Sequence, residues 1–182
     1  MVDVLKKFNR DVSLERFRSH SQNQSVELID LDSNSDTASN EWKCGILWGN
    51  SQINGLIIVD FTTLNVLAMS SDIFKNTLDD KLFELTKDFM KEYCNFYAGY
   101  IKGIFNNSQI DVNLSLPILS KKICPESCYN KNMSFETDSW TIKSGSSQIN
   151  IYSYFSISDK NIDLSFLSAS EAPKKKSNIE FF

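Results

Sequence analysis

The sequence predicts an α+β fold, in which a mainly antiparallel sheet packs against one long helix and several shorter ones. Three observations carry that prediction. Residues 79–106 form a proline-free periodic segment suited to one extended helix. Four apolar, β-rich segments fall into two pairs, each joined by a short polar turn. The order along the chain is helix, strands, helix, long helix, strands, which suits helices laid on a mainly antiparallel sheet.

Residues 4–18 set Val4, Leu5, Phe8, Val12, Leu14 and Phe17 among charges. That spacing predicts an amphipathic helix within residues 1–18, broken near Asp11. Residues 19–40 are rich in Ser, Asn and Asp and read as a polar connecting stretch. Only residues 26–31 within it have strand character. Residues 42–48 and 53–61 follow as a β-hairpin, with Gly-Asn-Ser-Gln between them. Thr62 and Thr63 offer caps for a helix over residues 64–74, which ends in an Asn-Thr turn.

In the long segment, Asp79 and Asp80 favour the positive N-terminal end of a helix. Asn106, Asn107 and Ser108 stop it. Residues 110–119 read as a strand that contains Pro117, and a polar loop carries Cys124, Pro125 and Cys128. Strands at residues 139–143 and 149–158 form a second hairpin around Ser-Gly-Ser-Ser. From residue 168 to 182 polarity and lysines predict a flexible tail.

Composition narrows the function classes. A chain of 182 residues with 41% hydrophobic and 23% charged residues suits one domain with a core that requires no staples. The net charge of −4 argues against nucleic acid as the main partner, because phosphate binding requires a clustered basic surface. The run Lys174 to Lys176 reads as a solvated tail. Residues 1–20 show no secretory signal, and no window approaches the roughly 20 apolar residues of a membrane helix. The expectation is a soluble, cytoplasmic protein without a membrane partner.

Cys124 and Cys128 have a spacing that a metal or disulfide would tolerate, but no second pair completes a zinc site. They read as free thiols. His20 is the one histidine, and it sits in the polar stretch as an expected exposed side chain. A Ser-His-Asp or Cys-His hydrolase would have to use it. No glycine-rich phosphate loop is present, which disfavours a nucleotide enzyme.

An α-helix turns by about 100° per residue. On that wheel Leu82, Leu85, Phe89, Tyr93, Phe96, Tyr97, Tyr100, Ile101 and Ile104 share one wide apolar arc, expected to face the sheet. Glu84, Asp88, Lys91, Glu92, Asn95, Gly99, Lys102 and Asn106 occupy the opposite arc, expected to face water or a partner. Glu92 and Asn95, at i and i+3, stand side by side there, about 5–6 Å apart at Cβ. Gly99 lies one turn further on, and Gly103 follows toward the edge of that face. Glycine inside a helix costs about 1 kcal/mol relative to alanine. A purely solvated face has no use for it, whereas a face approached closely by another molecule does.

The stretch from Asp88 through Glu92, Asn95, Ala98 and Gly99 to Lys102 resembles the signature helix of the CheC/CheX chemotaxis phosphatases. That signature is an Asp or Ser, then Glu-x-x-Asn, then a small Ala-Gly pair, with a proline on a strand a little over twenty residues after the Asn. Pro117 falls about one residue early for that position. Gly55, entering an apolar strand before a helix, also suits the family. The resemblance covers residues 40–158 and implies a CheX-like domain over residues 41–160. The long polar stretch, the extended loop at residues 124–132 and the tail depart from it. The chain shows a single Glu-x-x-Asn site, and residues 64–74 lack a matching pair. It is therefore nearest the single-site CheX type, whose members often form dimers through their sheets.

The resemblance implies a phosphatase acting on the aspartyl phosphate of a CheY-like response regulator. Asn95 would hold the attacking water, and Glu92 would pair with the lysine of the partner's active site. Asp88 would contact the partner or support Glu92, and Ala98 and Gly99 would keep bulk away from the docking surface. No cofactor is implied for this chain, since the magnesium belongs to the partner receiver domain. The alternative is a non-catalytic CheX-like module that docks on a receiver domain or on a signalling or flagellar complex.

Overall fold

The computed structural model describes residues 1–31, 41–75, 77–128, 134–159 and 161–169. The expected tail lies almost wholly outside these residues, as do residues 32–40 of the polar stretch.

Helix α1 (Val2–Ser21) opens the chain and strand β1 (Glu27–Asp30) follows. The first hairpin is β2 (Trp42–Gly49) and β3 (Ile53–Phe61), leading into α2 (Thr63–Met69) and α3 (Ser71–Phe74). The long helix α4 (Asp79–Asn107) comes next. Then follow β4 (Asn113–Leu114), β5 (Ile118–Ser120), α5 (Pro125–Cys128), the hairpin β6 (Glu136–Ser144) and β7 (Ser147–Ile157), and α6 (Phe166–Ala169). Among the described residues seven strands form one sheet in the order β1-β6-β7-β3-β2-β4, with β5 also on β2. Every pairing is antiparallel. The chain thus has the expected α+β fold.

Two turns set the register. Gly145 has φ +60° between the paired Ser144 and Ser147, so the β6–β7 turn places glycine first, as a two-residue II′ hairpin requires. At the other hairpin Asn50 Oδ1 accepts from the amides of Gln52 and Ile53, and Trp48 faces Gly55 across the ladder. A Cβ on Gly55 would lie 2.2 Å from the Trp48 indole. Glycine at that strand position is therefore a steric requirement of this hairpin.

One sheet face carries Cys44, Ile46, Trp48, Ile57, Val59, Trp140, Ile149, Ile151 and Phe155, all buried. The helices α1 and α4 cover it, so the core is a single layer between helices and sheet. On the other sheet face Lys43 pairs with Asp60 at 2.7 Å, and Thr141 donates to Asn150 at 2.9 Å. No helix among the described residues is long and apolar enough to cross a membrane.

The expected break near Asp11 does not occur: α1 is continuous to Ser21. Arg10 explains why, since its guanidinium grips both oxygens of Asp138 on β6 at 2.8 and 2.7 Å and reaches Asp30 on β1. That fork ties the middle of the helix to two strands. Pro117 divides the expected strand at residues 110–119 into β4 and β5, because proline has no N–H for the ladder.

Candidate functional site

Helix α4 is the element on which the candidate site stands. Its 29 residues make it about 44 Å long. It ends at Asn107, where Ser108 and Ile110 both donate to the Phe105 carbonyl and Gln109 turns left-handed at φ 64°.

The buried stripe of α4 is Thr86, Phe89, Met90, Tyr93, Cys94, Tyr97, Ala98, Ile101 and Phe105. Two polar hooks orient it. Tyr93 OH donates to the Ser13 carbonyl at 3.0 Å, and Tyr97 OH donates to Asn9 Oδ1 at 2.9 Å. Asn9 in turn donates to Ser153 Oγ on β7 at 3.1 Å, so helix, helix and sheet share one buried network. Burial pushes both tyrosine pKa values well up, which keeps the hydroxyls protonated as donors.

This stripe is rotated from the expected arc. Leu85 and Phe96 are each 40% exposed, while Met90, Cys94 and Ala98 lie inside. Ala98 is therefore corrected: it is fully buried and cannot line a docking surface directly. It shares its helix row with Cys94 and the side facing the sheet, where a small side chain suits close packing.

Glu92, Asn95, Gly99 and Asp88 are exposed. Among the described residues neither the Glu92 nor the Asn95 side chain makes a hydrogen bond or an ion pair. Asp88 is held by Lys91 at 2.9 Å. A Cβ built on Gly99 or on Gly103 meets nothing within 4 Å, so no neighbour in this chain calls for glycine at either place. The outward face therefore offers a carboxylate, a carboxamide and an open turn, in that order along the helix. A carboxamide both donates and accepts, so it can orient a water between two other groups.

Beside this face sits His20, which the sequence predicts as an exposed side chain of the polar stretch. It lies instead in the last turn of α1, with its ring 4.1 Å from that of Phe89 and 5.2 Å from that of Phe96. Its Nε2–H donates to the Phe89 carbonyl at 3.0 Å. Burial lowers its pKa, against smaller opposing effects of that hydrogen bond and of nearby Glu92. Arg16, one turn earlier, was also missed. Its guanidinium lies 4.2 Å from the centre of the Tyr100 ring. Neighbours 69 and more positions away leave no local signal for either residue.

Cys124 and Cys128 are free thiols at an exposed helical turn. Among the described residues no group of three or more His, Cys, Asp or Glu side chains is placed to hold a metal ion.

No protein-family model matches the chain. No curated protein matches it either. Solved structures do. A chain of the CheX-CheY-BeF3-Mg2+ complex from Borrelia burgdorferi superposes with TM-score 0.60 at 17% identity, over 84% of this chain and 97% of that one. A CheC-like superfamily protein from Shewanella sp. PV-4 gives TM-score 0.59 at 15% identity, over 85% and 98%. The chemotaxis protein CheX from Vibrio vulnificus gives 0.53 at 16%, over 82% and 99%. Over most of its length, then, the chain has the fold of the CheX and CheC-like chemotaxis proteins.

Proposed function

We propose that this protein accelerates hydrolysis of the aspartyl phosphate on a CheY-like receiver domain. The observation that carries the reading is the outward face of α4, where Glu92 and Asn95 stand exposed and unused by the fold. Phosphoryl transfer is catalysed mainly by positioning and charge stabilisation. The receiver supplies the phosphoryl group, its magnesium and a lysine. This chain then has to orient one water in line with phosphorus. Asn95 does so by accepting a hydrogen bond from the water and donating one to a phosphoryl oxygen.

Glu92 takes the second role. Placed against the phosphoryl group its charge would be repelled, but against the receiver's lysine it gains an ion pair and sets the register of docking. Asp88, already paired with Lys91, borders the interface rather than entering it. Gly99 lets the partner backbone approach the turn beyond Asn95. The complex of a CheX protein with CheY in the Borrelia structure supports a receiver as the partner. Pairing of two copies through their sheets belongs to the same proposal.

The test is phosphate loss from a panel of phosphorylated receivers, with the native protein and with Asn95→Ala. The variant should lose about 10²-fold or more of the stimulated rate, the scale for one oriented polar group. Equal rates would remove Asn95 from the mechanism. Tight docking on the phosphorylated receiver with no hydrolysis by the native protein would identify a binding module instead.

A further inference from the structure

Glu92 belongs to a second feature. A cavity of about 230 Å3 opens to the surface between the last turns of α1 and the middle of α4, lined by Arg16, His20, Ile73, Phe89, Glu92 and Phe96 among others. Its floor is apolar and aromatic: the His20 ring stacks on Phe89 at an interplanar angle of 26°, and Phe96 meets His20 at 60°. Phe96 remains 40% exposed and Ile73 37%, so apolar surface is left uncovered at the mouth. The volume is below the roughly 300–1,000 Å3 of small-molecule sites and is closer to one inserted side chain.

The charges at the rim are opposite. Glu92 stands on α4 and Arg16 on α1. Among the described residues Arg16 makes no ion pair: its guanidinium lies over the Tyr100 ring, its Nε is buried without a hydrogen-bond partner, and its terminal nitrogens, which a docked group can reach, have no acceptor. A guanidinium left so is a donor awaiting an acceptor.

We propose that this pocket receives an apolar side chain of the receiver domain, with Arg16 pairing a carboxylate of the same partner. The inference rests on the proposed function, because Glu92 is both a wall of the pocket and the group assigned to the receiver's lysine. The occupant follows from that continuity and from charge. A partner docked by its lysine on Glu92 lies over the cavity mouth. A site that holds magnesium brings carboxylates close to that lysine, and these complement Arg16. Buried aromatic pockets with an arginine at the edge are where interface energy concentrates.

The experiment uses the receiver whose acyl phosphate the native protein hydrolyses fastest. Binding is measured to that receiver loaded with BeF3 and Mg2+, and KM and kcat are measured with its phosphorylated form. Two variants bear on the pocket: Arg16→Gln removes the rim cation, and Ser19→Trp, at an exposed position lining the mouth, fills it. Each should weaken binding about tenfold and raise KM alike, with kcat held. Asn95→Ala should do the reverse, losing kcat and keeping binding. If native protein binds and hydrolyses while both pocket variants stay within about twofold of it in binding, this inference falls and the phosphatase reading stands. If the pocket variants lose kcat at unchanged KM, the pocket's role as a docking site is likewise overturned. If native protein neither binds nor hydrolyses any receiver, both readings fall.

Discussion

The inward and outward faces of α4 are built from one stretch of chain, yet they satisfy different demands. On the inward face each polar side chain has an acceptor: Thr86 donates to the Leu82 carbonyl at 2.6 Å, Tyr93 to Ser13 and Tyr97 to Asn9. Those contacts account for the residues at those positions. On the outward face a carboxylate and a carboxamide stand without hydrogen-bond partners, and Gly99 and Gly103 border open space. Helix stability alone would place alanine at both glycines. Folding explains the first face, and nothing within this chain calls for the particular residues of the second.

Substitutions that exchange the two roles would break this comparison. Ile101, fully buried on the inward face, should cost about 2–5 kcal/mol when changed to alanine, from lost burial and the cavity left behind. Asn95→Ala should stay within about 0.5 kcal/mol. Urea unfolding of both variants measures this, and equal losses would mean that Asn95 is part of the fold. Tyr97→Phe is the subtler inward change. It keeps the ring but deprives buried Asn9 Oδ1 of its donor, which should cost about 1–3 kcal/mol. A neutral Tyr97→Phe would show that the network through Asn9 and Ser153 does not set the rotation of α4.

That rotation marks where sequence reading ran out. The existence of α4, its end at Asn107 and both hairpins were legible because they are local: periodicity, a stop signal, and turns built on glycine. Which side of α4 faces inward was legible only roughly. Apolar and aromatic residues spread over more than half the wheel, so the arc expected to face inward took in Leu85 and Phe96 and left out Met90 and Cys94. The choice is made by Tyr93 and Tyr97 reaching Ser13 and Asn9, partners 80 and 88 positions away. Ala98 was misread for the same reason, as one step of rotation carries it from the rim into the core. Glu92, Asn95 and Gly99 survived the error because they lie near the centre of the polar arc. The continuity of α1 past Asp11 likewise depends on Asp138, 128 positions from Arg10.

Gly99→Ala sharpens the comparison from the other side. With nothing within 4 Å of the added Cβ, the variant should gain up to about 1 kcal/mol of stability from helix propensity. If the turn is kept open for a docked receiver, the same variant should bind that receiver more weakly. Thermal denaturation and receiver binding, measured together, decide it. A more stable variant that binds unchanged would leave glycine at this position without the explanation offered for it.

The smallest effect is expected at His20, which lies where the two faces meet. Its ring is held between Phe89 and Phe96, and burial lowers its pKa below the ordinary value of about 6.5. Its neutral form already donates through Nε2 to the Phe89 carbonyl, so a proton added at Nδ1 would place charge among aromatic rings. In the unfolded chain that proton binds freely. The unfolded state therefore takes up more protons than the folded one as pH falls through about 6.5 toward the depressed value. Stability is complete above that window and is lost on descending through it. Melting temperatures from about pH 7.5 to about pH 5.5 should fall more steeply for the native protein than for His20→Gln, which keeps a polar side chain but does not titrate. Parallel curves would mean that His20 is as well hydrated in the folded protein as in the unfolded chain, and its packing against Phe89 and Phe96 would have to be abandoned.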